Sequence, residues 1–437
     1  MTECVRVLVA ASRGHFTNFP NEPAYNQPFF WNMEPINVDI GKLGGHIHKI
    51  FMRQNWGAEI SGEQYENMRP VFHLATRFLT TASILPFWWW IFHGKRTQSR
   101  GTVYGYPNEQ YMHEIHDTPE SLTAEQVQQV HDRFEELSRI VTFGLKKSTP
   151  HGQMLRTAVS TSPRFQYDNI LKTMSHFDGT GSHIAIDTAE FFRYQTGVEN
   201  GNTGLMALSG LRLAINLCHE IAHAVEYARN EYNAYDYQDF IRDNRLMEVG
   251  WEWEKYIFGG SIEALVHRSA GSEVNECEKF PPYYVSLVVM EMRDFTKSPF
   301  PHDGYEHLTF PIRKYPEPSY VIDWLIDREI LERVWKLKFW DRTVPRSGAK
   351  AFQPRKVVGL VSKAESKELN VEDRYCFFRT DCDVSDPVVV PKGWKMTDTG
   401  LIVKRINVLE AEKKEKEAGG LDQILANIWR RLELNKP

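Results

Sequence analysis

Cysteine is scarce. There are five in 437 residues, Cys4, Cys218, Cys277, Cys376 and Cys382, and they are scattered. The number is odd and no spacing matches a zinc ribbon, so a disulfide scaffold is not expected and the composition points to a reducing, cytoplasmic setting. Excess positive charge is also missing. The formal net charge of −5 gives no general reason to expect a nucleic-acid or anionic-membrane partner. The opening stretch "MTECVRVLVAASRGHF" lacks the basic start and long apolar region of a secretory leader. Long apolar runs are absent too. The most apolar stretch, "FLTTASILPFWWWIF" at 78–92, is interrupted by Pro86 and is shorter than the roughly 20 residues a membrane span needs. It is expected to be a buried segment, and no transmembrane span is expected. Three adjacent tryptophans make an interfacial membrane contact the alternative. No internal repeat is visible.

What is present is the composition of a soluble globular protein, 42% hydrophobic and 25% charged, in a chain long enough for two or three substructures. Aromatic residues reach 13%, which suits a large core. Residues 1–110 are rich in Pro, Asn, Gly and aromatics near their start and read as irregular chain wrapping a body. Residues 111–345 read as a mainly helical core, 346–408 as strand-rich, and 409–437 as a charged linker with an amphipathic tail helix. The fold class expected is α+β.

Five elements stand out along the chain. Thr123, with Gln126 three residues on, marks a helix start. "SHIAID", 182–187, alternates as a short strand. "GLMALSGLRLAINLCHEIAHAVEYARN" is the longest helical stretch, apolar around much of its girth, with Asn216, His219, His223 and Glu226 on one face. A second helix, "NRLMEVGWEWEKYIFGG", stops at Gly259 and Gly260. An aromatic helix is expected in "SYVIDWLIDREILERVWKLKFW".

His219 and His223 are four residues apart, so on a helix they stack on one face. Two imidazoles so placed can reach one Zn²⁺ at about 2.0–2.1 Å. Glu220 then points beside the metal, where it can take a proton from a water the metal activates. The residue types follow from the chemistry: neutral imidazole binds zinc without extinguishing its Lewis acidity, and a carboxylate is a base of suitable strength.

A catalytic zinc needs a third protein ligand. A histidine six residues after His223 is ruled out, because positions 226 and 229 hold Glu226 and Arg229. Glu248, Glu252 and Glu254 lie on the following helix. Glu248 and Glu252, four apart, are expected to share a face, and Glu254 to point elsewhere.

With "HEIAH" and the downstream "EVGWE", residues 180–260 resemble the zincin metallopeptidase superfamily, in the branch whose third ligand is a glutamate. The arrangement with "WE…FGG" is also similar to fungal HExxH proteins of unassigned activity. The resemblance implies His219, His223 and Glu248 as zinc ligands, Glu220 as general base and Glu252 as the carboxylate that orients His219. The interval from His223 to Glu248 is longer than is usual in that branch. It also implies a zincin-like core: a small sheet with an edge strand, a buried motif helix and a following glutamate helix, here with large N- and C-terminal additions. In zincins the edge strand before the motif helix binds extended substrate. His183, Ile184, Ala185 and Ile186 are placed for that role, and an ordinary sheet strand is the alternative. A donor for the oxyanion is sought downstream, among Tyr256, Tyr283, Tyr284, His302 and His307.

The expectation is therefore a zinc-dependent hydrolase of peptidase or amidase type, acting on a peptide or small amide. The alternative is an enzyme on the same scaffold that performs acyl transfer or amide formation on a small molecule. A pure binding protein ranks last, because Glu220 is present. The sequence leaves the oligomeric state open.

Overall fold

The computed structural model describes residues 38–102, 109–146, 159–164, 174, 176–229, 240–241, 248–267, 283–290, 320–326, 328–354, 358–363, 375–379, 395–396 and 402–405. It is a mixed helix-and-strand fold, in agreement with the α+β expectation.

Short turns over 40–55 lead into α1 (Gly62–Asn67), α2 (Arg69–Thr80) and α3 (Pro86–His93), followed by the strands β1 (Arg96–Thr102) and β2 (Glu109–Ile115). Helix α4 (Ala124–Leu137) carries the expected capping box: Thr123 accepts from the Gln126 N–H, and the Gln126 side chain returns to the Thr123 N–H. Next come β3 (Val141–Lys146), β4 (Val159–Arg164), β5 (Gly181–Asp187), α5 (Thr188–Glu199) and the long α6 (Thr203–Arg229). Strand β6 (Phe240–Ile241) precedes α7 (Val249–Phe258). The remainder is β7 (Ser261–His267), β8 (Tyr283–Met290), β9 (Tyr320–Leu325), α8 (Arg328–Arg333), β10 (Val358–Lys363), β11 (Tyr375–Arg379), β12 (Lys395–Met396) and β13 (Ile402–Arg405).

Helix α6 is the axis of the molecule. Leu208, Leu211, Leu213, Ile215, Leu217, Ile221 and Val225 are fully buried and point to several sides. It is long and apolar enough to cross a membrane, yet 83% of its most apolar stretch is buried inside the protein. Helices α2, α5 and α7 and strands β4, β5 and β8 pack around it. A helix enclosed on so many sides can carry polar groups only where partners meet them, and that condition applies to its polar residues Arg212, Asn216, His219, His223 and Glu226.

The apolar segment 78–92 is core. Phe78, Leu79, Ile84, Leu85, Phe87, Trp88 and Ile91 are all buried. Phe78 meets Trp253 edge-on at 5.6 Å, and Trp88 lies 6.1 Å from the same ring. The segment is therefore the aromatic layer behind α7.

Three sheets are present among the described residues, and two of them pack on α6. The first has the order β3-β5-β4, with β3 parallel and β4 antiparallel to β5. Strand β5 is thus the middle strand. The edge-strand role expected for His183, Ile184, Ala185 and Ile186 is not available to it, since both sides are already hydrogen-bonded. The outer side of β3 is also occupied: Trp56 bridges Phe143 and stacks on its ring at 4.6 Å, and Glu59 Oε1 accepts from the Leu145 N–H at 3.0 Å. Among the described residues the open edge belongs to β4. In the region expected to be irregular, residues 38–60 form short turns with Ile40, Leu43, Ile50, Phe51 and Trp56 buried, and residues 62–115 form helices and strands; residues 1–37 lie outside the described residues.

The second sheet is antiparallel, in the order β12-β13-β11-β10-β9-β8-β7. It runs without a break across the 345/346 division read from composition. The aromatic helix expected over 319–340 is replaced by β9 and then α8. "YVIDWL" is rich in β-branched and aromatic residues, and pairing with β8 and β10 settles it as a strand. A small third sheet, β1-β2-β6, completes the set. The charged linker and tail helix expected at 409–437 lie outside the described residues.

Candidate metal centre

Arg212, Asn216, His219, His223 and Glu226 form one stripe along α6, because steps of three and four residues return to the same face. Facing the stripe is the start of α7. Glu248 is the N-cap of that helix, with extended backbone, and its Oε2 accepts from the Trp251 N–H. The cap fixes one carboxylate oxygen and turns the other toward α6. Glu248 Oε1 contacts His223 Nε2 and lies 3.3 Å from His219 Nε2. One ligand atom from each of His219, His223 and Glu248 lies within 4.8 Å of the other two, a group that could hold a metal ion.

The other nitrogen of each imidazole meets a second carboxylate. His219 Nδ1 is 2.6 Å from Glu254 Oε1, and His223 Nδ1 is 3.6 Å from Glu226 Oε2. Glu254 is held in turn, since its Oε2 accepts from the Ile262 N–H at 2.5 Å. Both imidazoles thereby direct Nε2 to the shared point. Glu226, Glu248 and Glu254 are all 5% exposed or less, so their charges depend on these partners. Burial by itself would lower both imidazole pKa values. The Glu248 carboxylate, with Glu254 behind His219 and Glu226 behind His223, reverses this: His219 is raised well above its ordinary value and His223 rises to about 10. Burial would raise the Glu248 carboxyl, but the two imidazoles hold it well below the usual carboxylate range.

The residue behind His219 is Glu254, which corrects the expectation for Glu252. The sequence argument placed Glu248 on the helix, where four residues on would share its face. Because Glu248 is a cap with extended backbone, the helical count starts after it. Gly250 is the residue that faces His219: a Cβ there would stand 2.3 Å from His219 Cδ2. Four residues beyond Gly250 is Glu254, while Glu252 is turned to the far side of α7. Glu252 is buried, its Oε1 lacks a hydrogen-bond partner among the described residues, and burial raises its carboxyl to about 8, with Lys255 opposing and Glu248 adding to the rise.

Glu220 stands next to the group without joining it. It is 7% exposed, and its carboxylate faces His223 and the Lys146 ammonium. Lys146 ends β3 in register with Asp187 at the end of β5. Burial lowers its pKa, and the carboxylates of Glu220 and Asp187 pull the other way. Sequence reasoning did not consider Lys146 or Gly250, left Glu226 on the histidine face without a role, and expected Glu254 to point elsewhere. The "GWEWE" spacing, with a glycine four before a glutamate, is the signal that would have found two of them.

The remaining candidates lie elsewhere. His183 pairs through Nδ1 with Thr142 Oγ1 at 3.0 Å, on the neighbouring strand β3. Ile184 and Ile186 are fully buried core residues. Tyr256 packs against Phe87 at 6.1 Å and Trp90 at 5.1 Å, on the aromatic side of α7. Tyr283 and Tyr284 are placed by backbone only, in β8, and His302 and His307 lie outside the described residues. Comparison with protein-family models, curated proteins and solved structures finds no match to this chain.

Proposed function

We propose that this chain is a zinc-dependent hydrolase that cleaves an amide bond in a peptide or small amide. The observation that carries this reading is the convergence of His219 Nε2, His223 Nε2 and Glu248 Oε1 on one point, with Glu220 beside it. Two imidazole nitrogens and one carboxylate oxygen are a donor set of catalytic zinc. The carboxylates behind both imidazoles support the same reading, since they fix the tautomer and raise the basicity of a ligating histidine. The resemblance of "HEIAH" to the glutamate-ligand branch of the zincins points the same way. A zinc ion held there would supply Lewis acidity and lower the pKa of a water in the site.

The chain's own residues do the rest. Glu220 takes the proton of the attacking water and returns it to the leaving amine. Glu254 and Glu226 keep the imidazole Nδ1 atoms occupied, so that Nε2 stays directed inward. Among the described residues, strand β4 has one unpaired edge next to α6, and an extended peptide pairs there in this reading.

The test is Glu220→Gln, assayed on a library of internally quenched peptides. The variant keeps shape and hydrogen-bonding reach but cannot accept the proton. Turnover should fall by about 10²–10⁴-fold, with zinc content and thermal midpoint close to wild type. A variant that folds, holds zinc and turns over at the wild-type rate would show that Glu220 is not the base.

A further inference from the structure

Amide hydrolysis needs a donor for the carbonyl oxygen as negative charge grows on it. We infer that Asn216 is that donor and contacts the substrate carbonyl, an inference that rests on the hydrolase reading above. Asn216 precedes His219 by three residues, Glu220 by four and His223 by seven, so it shares their face of α6 one turn toward the helix start. Its Nδ2 is buried and makes no hydrogen bond among the described residues. The rest of the stripe is committed internally: Arg212 donates to the Ile262 carbonyl at 3.1 Å, His219 meets Glu254 and Glu248, and His223 meets Glu226 and Glu248. Buried amide donors are nearly always paired. One left over beside a general base is a donor whose acceptor arrives with the substrate.

The surroundings also select the acceptor. Lys146 faces Glu220 and Asp187, so its charge is already matched. With Glu220, Glu226, Glu248 and Glu254 at hand, a permanent carboxylate on the substrate would be repelled at this position. A neutral carbonyl suits an uncharged amide donor. The water oxygen bonds to the carbonyl carbon as its proton passes to Glu220, and the C=O π pair moves onto the oxygen that Asn216 Nδ2–H faces. Collapse re-forms the C=O, the C–N bond breaks, and the proton on Glu220 goes to the leaving amine. The substrate class is an uncharged amide around the scissile bond.

Acetohydroxamic acid, which carries a carbonyl oxygen, is uncharged in solution and gives up its hydroxyl proton on binding zinc, is the probe, measured by titration calorimetry on the zinc-loaded full chain. Asn216→Leu is near in shape and donates nothing. Its zinc content should stay at the wild-type level, and its thermal midpoint should hold or rise because an unpaired buried donor is gone. Its hydroxamate affinity should fall about tenfold, a ground-state fraction of the roughly 10²–10³ that loss of one oxyanion donor costs in turnover. A lower thermal midpoint with unchanged hydroxamate affinity would make Asn216 structural and overturn the inference. Should the leucine variant not fold, Asn216→Ala gives the same readings with less bulk. Zinc-loaded wild-type protein that does not bind the probe also overturns it. The hydrolase reading fails separately, if the wild-type chain holds no zinc or Glu220→Gln keeps full turnover.

Discussion

Glu252 and Glu254 stand two residues apart on α7 and have opposite fates. Glu254 is bonded on both oxygens, to His219 Nδ1 and to the Ile262 N–H. Replacing it with alanine should weaken zinc binding about 10–100-fold, the range for a carboxylate behind a ligating histidine; competition with a chelator of known affinity measures it. Glu252→Ala should leave that affinity within about twofold of wild type. Its own effect is on stability. The Glu252 carboxyl titrates at about 8 in the folded chain against 4.5 ordinarily. The folded chain therefore keeps a proton that the unfolded chain has lost. Stability linked to this group is full below about pH 4.5 and is lost as pH rises to about 8. Glu252→Gln should then exceed wild type by a few kcal/mol, on the order of 1–3, at pH 8.5 and converge with it below pH 4.5, read by urea unfolding at both. An equal difference at the two pH values would show that the carboxyl is not buried uncharged. The histidine pair was legible from sequence because its spacing by itself fixes a face. The choice between these glutamates was not, because it turns on which residue caps the helix.

Helix α7 is positioned by two features that a helical-face count does not contain. Trp253 is fully buried against Phe78 and Trp88, and Gly250 lets the His219 ring lie on the helix backbone. The His219 ring is held on both nitrogens and cannot swing aside. Gly250→Ala should therefore cost about 1–3 kcal/mol of stability, as overpacking does, and lower zinc affinity as well; thermal unfolding and metal competition on one preparation test both. A variant with wild-type values for both would mean that α7 sits farther from α6 than 2.3 Å from Cβ to ring implies. Helices α4 and α6 were readable because caps and a 3.6-residue period are local signals. Strand β9 and the central place of β5 were not, because pairing partners distant in sequence decide them. "SHIAID" reads the same at the edge of a sheet and in its middle.

Across the whole molecule, the seven-stranded sheet joins residues 261–325 to 358–405. The composition shift near 346 therefore falls in the helical connection between β9 and β10 of one sheet. A chain ending at Pro354 retains the packed Phe339, Trp340 and Phe352 but strips β10 from β9, leaving an open edge. It should associate and lose thermal stability, seen by size exclusion and calorimetry; a monomer with the wild-type midpoint would show that β10–β13 fold apart from the rest. The central claim is that this fold brings His219, His223 and Glu248 together to hold zinc, and elemental analysis of protein purified without added metal tests it most directly. One zinc per chain, lost in His223→Ala, is the predicted result. A content near zero that added zinc does not restore would contradict it.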